Sequence, residues 1–217
     1  MSTITAPAKP RLRGALHAIV FPFVVIAGIV LTVAAPTTQS TVACAVFTVT
    51  SALLFGTSGY YHRGTHSPRV EEVLRRLDHA NIYLIIAGTY TPFALIALSG
   101  TASLTVMLVI WIGAVSGVVF RTLWMGAPRW LYTGLYIALG WVAVFFIPQF
   151  LAGVGVLAVV LIVAGGLCYS VGGVVYGLKR PNPWPDWFGF HEIFHTLTVV
   201  AWICHFSAVA LVIAAAS

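Results

Sequence analysis

The chain has 217 residues, of which 60% are hydrophobic and only 7% charged, with a formal net charge of +6. No soluble domain of this length carries so apolar a composition, and polytopic membrane proteins do. The cations lie between apolar runs with no basic, aromatic-interleaved cluster, which excludes a nucleic-acid partner and makes them topology signals. Cys44, Cys168 and Cys204 each sit inside an apolar run and form no CxxC pair, so they read as small buried residues.

A bilayer core of about 30 Å needs roughly 20 apolar residues per helix. Seven runs approach this, at about 15–36, 41–61, 80–99, 103–120, 130–149, 152–177 and 190–214. They predict an all-α bundle of seven transmembrane helices over 15–217, preceded by a short basic tail at 1–14. Lys9, Arg11 and Arg13 precede the first run as in a signal peptide. Its apolar stretch exceeds the about 7–15 residues of a signal core, so it reads as a retained helix. The connections alternate. Those near 36–40, 99–101 and 149 carry no charge, whereas 62–79, 121–129 and 179–180 carry the remaining Lys and Arg. The positive-inside rule then places the N-terminus in the cytoplasm and the C-terminus outside.

Small-xxx-small pairs at Gly113/Gly117, Gly166/Ser170 and Gly173/Gly177 predict close helix approach. Pro92 predicts a kink that frees the carbonyl near Gly88. Trp184 and Trp187 suit an interfacial belt, and Asp186 is placed to cap the last helix.

The last run opens with His191-Glu-Ile-Phe-His195, whose i, i+4 spacing puts both imidazoles on one helical face. The predicted topology brings three helix ends to the same depth. Ser58 and His62 end the second helix one turn apart, Asp78 starts the third, and the histidine pair starts the seventh. His62, His191 and His195 offer three nitrogens and an open fourth position, the arrangement of catalytic zinc. Imidazoles favour zinc over calcium or magnesium. Zinc lowers the pKa of a bound water to about 7. Asp78 is placed to take its proton or orient it, and Ser58 to hydrogen-bond a developing oxyanion or hold Asp78.

His205 lies roughly 15 Å deeper than His195 along the helix, on nearly the face of His191, as a core or cavity histidine. His17 enters the first helix near the cytoplasmic surface as a supporting residue. His66 reads as a loop histidine, and His79 is expected to point away from the site. The segment also spells HExxH, in which the Glu is a peptidase base. A zincin would need a further acidic ligand downstream, and none follows Glu192, which reads instead as a surface or supporting residue.

Three blocks resemble the hemolysin III family over nearly the whole chain. They are Ser58-Gly-Tyr-Tyr-His62-Arg63, then Arg76-Leu-Asp78-His79 continuing to Ile86-Ala-Gly-Thr-Tyr-Thr-Pro92, and His191-Glu-Ile-Phe-His195 with His205 after it. His17 also falls where that family tends to carry a histidine. The family is the bacterial branch of the progestin and adipoQ receptors, in a superfamily that includes alkaline ceramidases. The resemblance implies seven helices with the N-terminus inside, in a bacterial plasma membrane. It also implies zinc on His62, His191 and His195, with Asp78 and Ser58 completing the site. The expected activity is zinc-dependent hydrolysis of a membrane lipid amide or ester in lipid homeostasis. The alternatives are a lipid or membrane-state sensor with structural zinc, and a haemolytic pore, against which the clustering of polar groups at one end counts.

Overall fold

The computed structural model describes residues 10–216; Lys9 and the rest of the expected tail at 1–9 lie outside the described residues. The fold is all-helical, with α1 (Ala15–Ala34), α2 (Thr38–Arg63), α3 (Pro68–Pro92), α4 (Gly100–Leu123), α5 (Arg129–Gly140), α6 (Ile147–Leu178) and α7 (Phe190–Ala216). Among the described residues, six segments are long and apolar enough to cross a membrane. One of them, Arg129–Leu178, has 50 residues and includes both α5 and α6. A straight helix of that length would measure about 75 Å, far more than a bilayer core.

That segment is not straight. A tight helical stretch, Trp141–Phe146, ends α5, and Gly155 inside α6 adopts φ 76° and ψ 173°. This backbone is open to glycine and closed to most other residues. The two arms then lie side by side. Trp141 Nε1 donates to Ser170 Oγ at 2.8 Å, Arg129 stacks on the Tyr176 ring at 4.9 Å, and Gly173 faces Thr133 and Ile137. These contacts pair early residues of one arm with late residues of the other, so the chain reverses between them.

Apolar side chains cover the outside of the bundle. Ile19, Phe23, Ile26, Val30 and Val33 recur at helical spacing on α1, and all are exposed. Water penalises such a stripe, whereas hydrocarbon accepts it. Lipid tails give no hydrophobic drive for helix association, so packing and interhelical hydrogen bonds must supply it. Asn81 on α3 donates to the Leu53 carbonyl at 2.9 Å and Thr57 Oγ1 at 3.1 Å on α2. Trp202 on α7 donates to Ser51 Oγ at 2.9 Å. Gly117 of α4 lies directly against the Tyr83 ring.

Two expectations change. The charged connection read as 62–79 is only Gly64–Ser67, because α3 starts at Pro68 rather than at 80. Proline suits a first turn, and the pair Glu72–Arg76 sustains a polar helix beyond the apolar run. Pro92 does disturb α3, as a widened turn over Phe93–Ala97. Its missing N–H deprives the preceding turn of a donor. Ser103 Oγ bonds the Ala94 carbonyl at 2.7 Å and Gln39 Nε2 the Leu95 carbonyl at 3.0 Å, satisfying the loosened turn. The three cysteines are unpaired.

Candidate metal centre

The cations gather at one end of the bundle. Arg13 bonds Glu192, Arg63 reaches the Arg11 carbonyl, Arg76 bonds the Thr122 carbonyl, and Arg129 bonds the Tyr176 carbonyl. The start of α7 lies at this end. Its first amides are capped by Asn182 Oδ1, 2.9 Å from Phe190 N, and by Glu192 Oε2, 2.8 Å from Gly189 N. Glu192 thus reaches back as the third-position residue of a capping box does. Asp186, expected in that role, is exposed instead. A short turn pairs Trp184 with Phe188 and carries Asp186 to its apex, where its carbonyl accepts from Arg11 N at 2.9 Å.

Capping fixes the first turn of α7 and so aims both its histidines. His62 Nε2 and His191 Nε2 stand 3.2 Å apart. The donor atoms of His62, His191 and His195 all fall within 4.8 Å of one another. His62 Nε2 is 3.6 Å from Asp78 Oδ2. Gly14, with φ 72°, lets the start of α1 lie against the His62 side chain, where a β-carbon would collide. His17 is 2% exposed and stacks on His195 with centroids 3.8 Å apart and planes 4° from parallel. Phe55 meets the His17 ring edge-on, with centroids 4.9 Å apart.

This cluster fits a metal ion. Tetrahedral zinc with Zn–N bonds of about 2.0–2.1 Å separates its nitrogen ligands by about 3.4 Å, close to the observed His62–His191 spacing. The same 3.2 Å contact closes as an N–H···N hydrogen bond when no ion is bound, so the two rings are held in place for a shared ligand. Both ring nitrogens of His17 are also buried without a hydrogen-bond partner among the described residues. Three imidazole nitrogens beside one carboxylate form a donor set for a borderline-soft divalent ion.

Ser58 is buried one turn before His62 and lines a cavity shared with Asp78, His17, His191 and His195. The cavity runs on between α3, α5, α6 and α7 to Phe93, Phe150 and Val159, and its lining is predominantly apolar. Along α7 it extends from His191 to His205, roughly 21 Å of helix axis. His205 sits on this wall, with Nε2 3.1 Å from the Ile162 carbonyl.

His79 departs from expectation. It lines the same cavity, with Nδ1 2.7 Å from the Arg75 carbonyl and Nε2 3.4 Å from the Tyr176 hydroxyl. Neighbouring helical residues point about 100° apart, but a cavity this wide receives both Asp78 and His79. His66 bonds the Tyr60 carbonyl in the loop, as a loop histidine would.

Glu192 is buried, not on the surface. Its two oxygens take Arg13 Nε at 2.5 Å and Gly189 N at 2.8 Å. Arg13 was legible in the sequence only as a topology charge, yet it supplies the counter-ion to the buried acid beside the histidines. Arg13→Ala leaves that carboxylate buried with one donor. Because Arg13 is itself partly exposed, the expected loss is about 2 kcal/mol rather than the full cost of breaking a buried pair. Thermal unfolding of the detergent-solubilised protein reads it. The double variant with Glu192→Gln should recover most of the loss, and a double no more stable than Arg13→Ala refutes the pairing.

The geometry defines a multi-pass helical membrane protein with a candidate metal centre at one end of an elongated internal cavity. The chain belongs to the haemolysin-III related family, whose model matches residues 5–206. It is 34% identical over 135 residues to the "Hemolysin-3 homolog" of Bacillus subtilis (strain 168), covering 62% of this chain and 63% of that relative. It is 36% identical over 140 residues to "Hemolysin-3" of Bacillus cereus, covering 64% of each. The matched stretch is thus under two thirds of either relative's length. Membership and the apolar segments fit a multi-pass protein of a bacterial plasma membrane.

Proposed function

We propose that the chain is a metal-dependent hydrolase that cleaves an amide or ester bond of a membrane lipid, with zinc held by His62, His191 and His195. The observation that carries this reading is the joining of two unlike environments. The histidine cluster, Asp78 and Ser58 sit at the mouth of a long apolar cavity enclosed by helices. A lipid with its head at the polar end and its chain in the cavity brings a scissile carbonyl to the cluster. A structural ion would not need that chamber.

A zinc ion supplies Lewis acidity and makes a nucleophile available at neutral pH. The chain's own residues do the rest. Asp78 accepts the nucleophile's proton and returns it to the leaving group. Ser58 donates a hydrogen bond to the carbonyl oxygen as negative charge develops there. His17, stacked on His195, holds that ring in plane. Helix walls exclude water from the chain-binding length. Glu192 serves the fold, since both its oxygens are already engaged.

The orientation belongs to the same proposal. Arg129–Leu178 crosses the membrane twice, reversing near Gly155, so that the chain crosses seven times. The cation-bearing end then faces the cytoplasm, with the N-terminus inside, the C-terminus outside and the histidines near the inner surface.

The test is fatty-acid release by purified protein in vesicles carrying a ceramide or a phospholipid, followed by mass spectrometry. Release should stop on treatment with a zinc chelator and return on adding zinc. Protein that is loaded with metal and releases nothing from either lipid class overturns the proposal.

A further inference from the structure

Deep in the cavity a second pair of polar groups is held apart from the histidine cluster. His205 on α7 is buried, and its Nε2 faces the Ile162 carbonyl at 3.1 Å. A carbonyl only accepts, so Nε2 carries the proton and, in the neutral ring, Nδ1 is a bare acceptor. Nδ1 has no hydrogen-bond partner among the described residues. Tyr169 on α6 lies beside it, with ring centroids 5.6 Å apart, and its buried hydroxyl also lacks a partner among the described residues. Both residues line the cavity. The room for the imidazole comes from Gly165, one turn before Tyr169, where a β-carbon would fall 2.5 Å from His205 Nε2. All five acidic residues belong to the opposite end of the bundle or its loops, so no carboxylate competes for the pair.

Within a membrane, a buried acceptor and a buried hydroxyl that satisfy nothing in the protein are costly, and such groups mark sites of function. We infer that His205 Nδ1 and the Tyr169 hydroxyl form a second polar subsite that takes a hydroxyl group carried partway along a bound lipid chain. The chemistry selects a hydroxyl. It donates to Nδ1 and accepts from the tyrosine with one oxygen, which an ester or ketone oxygen cannot do because it only accepts. The position selects the place on the chain. His205 lies roughly 15 Å from His195 along α7, so the hydroxyl must be remote from the head held at the histidine end. The preferred ligand is therefore an acyl lipid hydroxylated in mid-chain. This inference rests on the cavity being the lipid chamber proposed above.

The test is equilibrium binding of stearic acid and of hydroxystearic acid bearing its hydroxyl in mid-chain to the purified wild-type protein, Tyr169→Phe and His205→Phe. Wild-type protein should bind the hydroxylated acid roughly tenfold more tightly, the worth of one or two satisfied hydrogen bonds. Tyr169→Phe removes one oxygen and keeps the ring. It should bring the ratio most of the way to one while leaving stearic acid binding unchanged, and His205→Phe should do the same. Equal wild-type affinity for the two acids overturns the subsite, leaving water as its occupant, without touching the chamber. An undiminished preference in Tyr169→Phe also overturns it. Binding of neither acid overturns the chamber and the subsite together.

Discussion

Replacing His191 and His195 together by alanine is expected to strip the protein of bound metal while leaving the helices in place. The wild-type chain should carry about one zinc, since three imidazoles leave a single open position. Elemental mass spectrometry on detergent-purified protein measures this directly, and circular dichroism confirms the fold. The helices should survive because α7 is held elsewhere along its length. Trp202 bonds Ser51, and Ala208 and Val209 are buried against the bundle. The cap made by Asn182 and Glu192 does not involve either imidazole. Loss of zinc should be complete, since two of three ligands are gone. His17 lies beside His195 and is the residue most able to compensate. Zinc retained at about one per chain in the double variant would place the site elsewhere, and no zinc in the wild-type protein would remove the hydrolase mechanism.

The site was legible in the sequence to the extent that it is local. One-turn spacing binds Ser58 to His62 and His191 to His195, and alternation of charged and uncharged connections brings their helix ends to one side. The structure brings the donor atoms of His62, His191 and His195 within 4.8 Å of one another, with Asp78 3.6 Å from His62 and Ser58 on the wall of the adjoining cavity. What could not be read is tertiary. Whether His79 points into the site depends on the width of the space between α3 and α5 or α6. Glu192 is buried because Arg13, far away in the chain, folds over it. Asp186 lost the capping role because a short turn reorganised five residues around Trp184 and Phe188.

The fold shows the same division. Apolar runs located the helices, but hydropathy marks the lipid-buried length and not the end of the helix. Hydropathy does not reveal the start of α3 because its first three turns are largely polar and carry the Glu72–Arg76 pair. The connection expected near 149 lies inside α6, and no charge or polar run marks where the backbone breaks instead. That break is at Gly155, a single backbone conformation that composition does not betray.

Asp78→Asn is expected to reduce lipid hydrolysis by about 100- to 10,000-fold, the usual contribution of a positioned general base, with the zinc content unchanged. The substitution is nearly isosteric and keeps an oxygen facing His62, whose Nε2 is 3.6 Å from the native carboxylate. It removes the capacity to accept a proton at neutral pH. In the proposed site the three imidazoles hold the metal without Asp78, so zinc and thermal stability should hold. The two readouts together separate roles that activity alone would confuse. Activity lost with zinc retained assigns Asp78 to the chemistry. Activity lost with zinc lost makes Asp78 a ligand or a fold element. Activity retained at the wild-type rate contradicts the base role. If no lipid is turned over by either form while zinc remains bound, the histidines are left as a brace tying α2 to α7, and the sensor reading takes the place of the enzyme.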